Sequence, residues 1–493
     1  MKATSVAIIG AGLGGLATAI RLAKRGYGVH LFEQHERAGG KASTLRLGGY
    51  RFDTGPSLFT MRDVFDELFE DAGTTLEDQI TLRPLDPICS YYYPDGSLLR
   101  AWSNQEQFAK EIEERTLDSA ETLRSYLAYC RRIYDSAGEL FLRNSLHEPA
   151  TYLQAKVIRE LLRPWRSDPL RTVHQANDAC FRDPKLVQLF DRYATYNGSD
   201  PFRAPATLNI IPYVEHCLGA FGVEGGIYSI VQSLERLAAG LGVHFHYSSP
   251  VERITLSRGR VRSITTGGRE LKFDIVVSNA DVAQMHRLLS NGSPAPRGAS
   301  SKAQASSSAI LFLWGMTKTF PELDLHSVFF CDDYRSEFGD IFDRGVTPRD
   351  PTVYLHISSK VSPADAPPGG ENWFLLVNAP PNQGQDWARE VERLRPRVME
   401  RVGRALGSNL PDLIAVERVL TPVDIEALTG SERGSLYGVA SNSRMSAFRR
   451  HPNRVPGISG LYACGGSAHP GGGMPLVLLS AKITVDLIQR YER

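Results

Sequence analysis

"VAIIGAGLGGLATAIRLAKRGYGVHLFEQ" (residues 6–34) sets a four-residue apolar run directly against Gly10, Gly12 and Gly15 in the spacing GxGxxG. Leu16, Ala19, Ile20, Leu22 and Ala23 then recur at helical spacing, and a second apolar run, Val29 to Phe32, ends at Glu33. The pattern predicts strand, glycine turn, helix and strand, the context that gives the glycines meaning. Gly10 permits the tight turn and Gly12 lets a pyrophosphate approach the backbone. Gly15 lets the helix pack on the sheet, with Leu13 and Gly14 completing the turn. Glu33, with Gln34 beside it, is placed to accept hydrogen bonds from a ribose diol. The stretch is a dinucleotide-binding unit and fixes an α/β fold.

The sequence continues "HERAGGKAST" (35–44), with Arg37, Gly39, Gly40 and Lys41 in the pattern RxGG(K/R). Glycines here bring more backbone N–H groups toward the same diphosphate, with a cation beside them. A nicotinamide-binding unit has no need of this second loop. FAD proteins of the glutathione-reductase and amine-oxidase type have it, and the resemblance favours FAD as cofactor. "FDTGPS" (52–57) extends the likeness, since in such proteins the segment holding Gly55, Pro56 and Ser57 passes close to the flavin.

Near the other end stands "GLYACGGSAHPGGGMPLVLLSAKITVDLI" (460–488), with five glycines and a proline between Gly465 and Met474. Glycine in such density implies strained turns or a closely approaching ligand. A helix beginning there presents free N–H groups and the positive end of its dipole. In this flavoprotein class the last helix points at the pyrimidine edge of the isoalloxazine ring. The resemblance therefore puts Gly471 to Met474, Gly473 included, at that edge and Gly465 and Gly466 at the ribityl and phosphate chain.

Composition narrows the function classes. A chain of 493 residues exceeds one ordinary core, and a net charge of +1 gives no support to nucleic-acid binding. The six cysteines are scattered without a CxxC pair, which argues against zinc or a disulfide framework and fits a reducing cytosol. The histidines offer no convincing ligand set, so no metal is expected. No apolar run reaches the roughly 18–20 residues that span a bilayer.

The domains are expected to interleave. Residues 1–70, 215–295 and 451–493 read as a discontinuous FAD-binding domain. Residues 71–214 and 296–450 read as an α+β substrate domain with a helical part. "GVEGGIYSIVQSLERLAAGLGVHFHYSSPVERI" (222–254) reads as glycine turn, helix 227–241 and strand 243–247. It resembles the returning limb of the FAD domain, with Val251 at the adenine and Gly225 and Gly226 near the flavin. "NGSPAPRGASSKAQASSS" (291–308) is the best domain junction.

"HPGGGMPLVLLSAKI" closely resembles the C-terminal FAD signature of bacterial carotenoid desaturases of the phytoene-desaturase type. The likeness spans the whole chain through "YATYNGSDPFRAPATL" (193–208). "HSVFFCDDYRSEF" (326–338) and the leucine after the HPGGGxP proline are most similar to the hydroxycarotenoid 3,4-desaturase branch. Gly465 and Gly466 stand where related amine oxidases have an acidic residue.

The resemblance implies hydride transfer from a CH2–CH2 unit of an acyclic C40 carotenoid to flavin N5, with loss of a neighbouring proton. The terminal electron acceptor, quinone or oxygen, is left open. His469 and Glu224 are the titratable residues nearest the flavin motifs and weak candidates for catalysis. Phe312, Trp314, Phe329, Phe330, Trp373 and Phe374 are candidates to line an apolar tunnel.

A substrate this insoluble must be taken from lipid. "VIRELLRPWR" (157–166), with Trp165 beside Arg163 and Arg166, suits a headgroup region. A cytoplasmic protein held peripherally on the inner face of the cell membrane is the expectation. The alternatives are a phytoene desaturase proper, a carotene cis–trans isomerase of the same fold, and a non-enzymatic lipid-binding escort protein.

Overall fold

The computed structural model describes residues 3–289 and 304–492, so most of the expected junction at 291–308 lies outside the described residues. Strand β1 (Ser5–Ile9), helix α1 (Leu13–Lys24) and strand β2 (Gly28–Phe32) follow one another as the opening sequence predicts. The sheet is wholly parallel, in the order His244–His246, β2, β1, Ile275–Ser278, Leu461–Ala463. Parallel strands are covered on both faces, which explains their unbroken apolar runs; Val6, Ala7 and Ile8 have no exposed surface.

On one face α1 packs between the helices Tyr228–Gly240 and Met474–Tyr491, with Leu16, Ile20, Ile230, Leu234 and Leu478 in a common core. The other face is covered by a small antiparallel sheet (Val251–Ser257, Arg260–Thr266, Arg269–Lys272), whose Ile254 and Ile264 meet Phe32 and Val276. This is a Rossmann-like unit assembled from three separated stretches of chain.

A seven-stranded mixed sheet forms the second layer, in the order Ile414–Leu420, Ser308–Met316, Glu371–Ala379, Val353–His356, His326–Phe329, Cys89–Tyr92, Leu98–Ala101. Side chains alternate across it with period two. Phe312, Trp314 and Trp373 point toward the helix Trp387–Leu406 and form a core with Val398 and Val402. Their neighbours Leu311, Phe374 and Leu376 face the opposite way, onto a large cavity.

That alternation corrects the expected tunnel lining. Of the six aromatic residues proposed, Phe374 alone lines the cavity; Phe329 stacks on Tyr92, and Phe330 stacks on Tyr91 and Tyr93. The expected boundary at residue 70 also shifts, because the helix Arg62–Ala72 runs through it and packs on α1 in the nucleotide-domain core.

Candidate active site

Both glycine-rich loops and their helix starts open onto one cavity of about 1630 Å³. Its lining includes Gly10, Gly12, Leu13, Gly14, Glu33, Gln34, Gly39, Gly40, Lys41, Gly55, Pro56, Ser57, Val251, Gly465, Gly466, Gly473 and Met474. Gly15 is buried one layer behind: a Cβ there would stand 2.0 Å from the carbonyl oxygen of Gly10. Gly12 immediately precedes α1 and Gly473 the terminal helix, and neither helix start has a side-chain cap. Their first-turn N–H groups are left for a ligand.

Asn279 ties the loops together. A Cβ at Gly12, Gly14 or Gly465 would fall within 2.9 Å of its side-chain amide, so a larger residue at any of the three would displace Asn279.

Glu33 is 5% exposed and already oriented. Its Oε2 accepts the Ala11 N–H at 2.8 Å and its Oε1 accepts the His35 N–H at 2.9 Å. The carboxylate joins the glycine turn to the end of β2 and keeps its remaining lone pairs for the cavity. Lys41 has different partners from those its motif suggested. Its Nζ donates to the carbonyls of Ser435 (2.9 Å) and Leu436 (2.7 Å), stitching the RxGGK loop to the second domain. Burial lowers its pKa to about 8 against the pull of Asp281.

Two expectations are overturned. Glu224 is exposed, pairs with Arg83 at 2.8 Å and does not line the cavity. Gly225 and Gly226 also lie outside it. Gly226 makes room for a buried network instead, since a Cβ there would meet Arg51 Nη2 at 1.8 Å. Arg51 bridges Asp53 (2.8 Å) and Asp365 (2.6 Å), and Asp53 accepts the N–H groups of Ile227 and Tyr228 at a helix start.

His469 does line the cavity, with one ring nitrogen held by the backbone and the other buried. Nε2 donates to the carbonyl of Asn144 at 2.7 Å, and Nδ1 is buried without a partner. Burial lowers its pKa to about 4. The neutral ring fixes the loop before the terminal helix, as a positioning residue.

Beyond the loops the cavity becomes a chamber lined by Leu58, Leu142, Ile211, Leu311, Phe374 and Leu376. Among the described residues its acidic lining is Glu33, Glu36 and Asp281, all at the loop end. One wall is polar. Arg192 lies among the rings of Tyr91, Tyr193 and Tyr196, donating to Tyr91 Oη (3.0 Å) and Tyr196 Oη (3.3 Å), and its Nε has no partner. Tyr354 accompanies it, hydrogen-bonded to Ser57 (2.6 Å) and His326 (2.7 Å). Nothing local in the sequence marks this cluster, which is gathered from distant segments.

Ser167, Pro169, Arg444 and Phe448 also line the cavity. Around them stand Leu153, Ile158, Leu161, Leu162, Trp165, Leu170 and Met445, all exposed, with Leu162, Trp165 and Leu170 at 71%, 69% and 68%. The segment is a helix (Ala155–Leu161) followed by a short turn (Pro164–Arg166), broken at its proline. Arg166 pairs with Glu160 at 3.3 Å, which removes it from the free positive charge expected of this stretch. Among the described residues no helix is long and apolar enough to cross a membrane.

Comparison with known proteins adds four findings. The family model for flavin containing amine oxidoreductases matches residues 13–489. The chain is 44% identical over 481 residues to a 1-hydroxycarotenoid 3,4-desaturase of Flavobacterium sp. (strain P99-3), covering 98% of each chain. It is 32% identical over 487 residues to a 4,4'-diapolycopene oxygenase of Methylomonas sp, covering 98% of this chain and 97% of the other. Among solved structures, cyclohexylamine oxidase from Brevibacterium oxydans IH-35A superposes over all of both chains with a TM-score of 0.64 at 15% identity. That last likeness speaks to fold.

Proposed function

The chain belongs to the flavin containing amine oxidoreductase family and is an FAD-dependent oxidoreductase of the carotenoid-desaturase kind; on that premise we propose that it introduces the 3,4 double bond into an acyclic 1-hydroxycarotenoid. The observation that carries this reading is the continuity of one cavity from the two glycine loops into an apolar chamber with a polar wall.

Bound FAD supplies the hydride acceptor. The residues of this chain do the rest. Glu33 and the N–H groups after Gly12 would hold the adenosine and diphosphate end, and Gly472 to Met474 would meet the ring. Leu311, Phe374 and Leu376 hold the polyene, exclude water and keep a CH2–CH2 unit against the ring face. Hydride loss beside a conjugated system leaves a delocalised cation, so the following proton loss needs no strong base, which fits a chamber whose described lining holds no carboxylate. The Arg192 guanidinium and the Tyr196 phenol, both on the cavity wall, offer hydrogen bonds to an oxygen-bearing end group.

The exposed apolar cluster at residues 153–170 is read as the surface that rests on a lipid headgroup layer, with the tunnel mouth at Ser167 and Pro169. Arg159 and Arg163 flank it with positive charge. This would hold the protein peripherally on the cytoplasmic face of the membrane. The electrons then pass to a quinone or oxygen.

Expression in cells accumulating defined acyclic carotenoids tests the reading. A hydroxylated substrate should gain one double bond. A product carrying added oxygen, or one differing only in double-bond geometry, would replace the desaturase with an oxygenase or an isomerase.

A further inference from the structure

Arg450 is a buried positive charge with no negative partner. It is 3% exposed and donates to neutral acceptors: the carbonyls of Tyr437 (3.3 Å) and Val439 (3.0 Å) and the Asn197 Oδ1 (2.9 Å). Among the described residues no carboxylate stands within ion-pair distance of it. Burial alone lowers its pKa to about 10, with no neighbouring anion to hold it up. A buried ion left unpaired is strongly disfavoured. A fold keeps one where an anion will arrive.

The contacts of Arg450 say where that anion arrives. Gly471 has φ +138°, a conformation that favours glycine, and its Cβ position lies 2.9 Å from Arg450 Cζ. Gly472 is pressed against Tyr437, with its Cβ position 2.9 Å from Tyr437 Cδ1. The terminal helix starts two residues later, uncapped. Arg450, Tyr437, Gly472 and Gly473 all line the same cavity. The guanidinium therefore backs the loop fitted to the flavin ring.

We propose that Arg450 compensates the negative charge that the pyrimidine edge of FAD gains on hydride transfer, a role that rests on the FAD-dependent reading above. The balance is simple. The substrate carbon gives up a hydride, two electrons and one proton, to flavin N5. No second proton follows, so one net negative charge remains over N1 and the C2 carbonyl. A helix start offers about half a positive charge. Arg450 offers a whole one in a site with little water to screen it.

The test uses holoenzyme of wild type, Arg450→Met, Arg450→Lys and Asn197→Asp. The last places a carboxylate beside the guanidinium without emptying its site, and so serves if Arg450→Met fails to fold. Midpoint potentials are read against a reference dye, and FAD affinity is measured in both redox states. Arg450→Met and Asn197→Asp should lower the ratio of reduced to oxidised FAD affinity tenfold or more. Each tenfold fall is a drop of about 30 mV for a two-electron couple. Arg450→Lys should keep most of the wild-type ratio. An unchanged potential would overturn the proposal. So would an equal loss of affinity in both redox states, which would assign Arg450 to the diphosphate. If instead no variant or wild-type protein took up FAD, the cofactor reading itself would fall.

Discussion

Glu33→Gln separates loop organisation from cofactor recognition, because the structure gives the carboxylate two tasks. Its oxygens accept the Ala11 and His35 N–H groups at 2.8 and 2.9 Å. A glutamine has one oxygen, so its NH2 must face one of those donors. Leaving that buried donor unsatisfied costs about 1–3 kcal/mol, and this falls on the apoprotein as well as the holoenzyme. The ribose diol would meanwhile lose a charged acceptor for a neutral group, which should weaken FAD binding by a further 1–3 kcal/mol or so, roughly 5- to 150-fold in Kd. Thermal melting of apoprotein reads the first effect, and titration with FAD followed by flavin fluorescence reads the second. A lower apoprotein Tm with unchanged FAD affinity would refute the ribose contact and leave Glu33 as a loop brace alone.

Gly12→Val should abolish FAD uptake, since the Cβ position is already 2.9 Å from Asn279 Nδ2 and the branch would fill the pyrophosphate path; the flavin-to-protein absorbance ratio reads this. His469 is held neutral by burial with a pKa of about 4, below its unfolded value near 6.5. The unfolded chain therefore binds more protons between those values, and stability falls as pH drops through that window, by up to about 1.4 kcal/mol per pH unit from this group. His469→Gln should flatten the corresponding dependence of Tm. Replacing Leu162 and Trp165 with aspartate should cut liposome binding and turnover of membrane-embedded substrate together with flavin content unchanged; normal binding would move the membrane surface elsewhere. Arg192→Met should raise KM for a hydroxylated carotenoid by about tenfold or more, the loss of one hydrogen bond to a charged group, and spare the unhydroxylated analogue.

The nucleotide-binding unit was legible because its constraints are local. Gly10, Gly12 and Gly15 answer to a turn and a helix within a few residues, and Glu33 stands at the end of the next strand. The terminal loop was legible for the same reason. The substrate chamber was not, because strand alternation decides which aromatic faces it, and sequence leaves the two faces of a fully apolar strand equivalent. Phe312 and Phe374 look alike until the helix Trp387–Leu406 is seen to cover one side. Glu224 misled through proximity in sequence to a glycine turn that serves Arg51 and Asp53. Asn279, Arg192 and Arg450 were invisible for the opposite reason, since each acts on partners far away in the chain.

Anaerobic mixing of the FAD-loaded protein with a 1-hydroxylated acyclic carotenoid in liposomes tests the central claim most directly. The oxidised flavin band should bleach in one-to-one proportion to a new polyene absorbance, and the product should have lost two hydrogens and gained no oxygen. Persistence of the oxidised flavin alongside unchanged carotenoid would contradict the account.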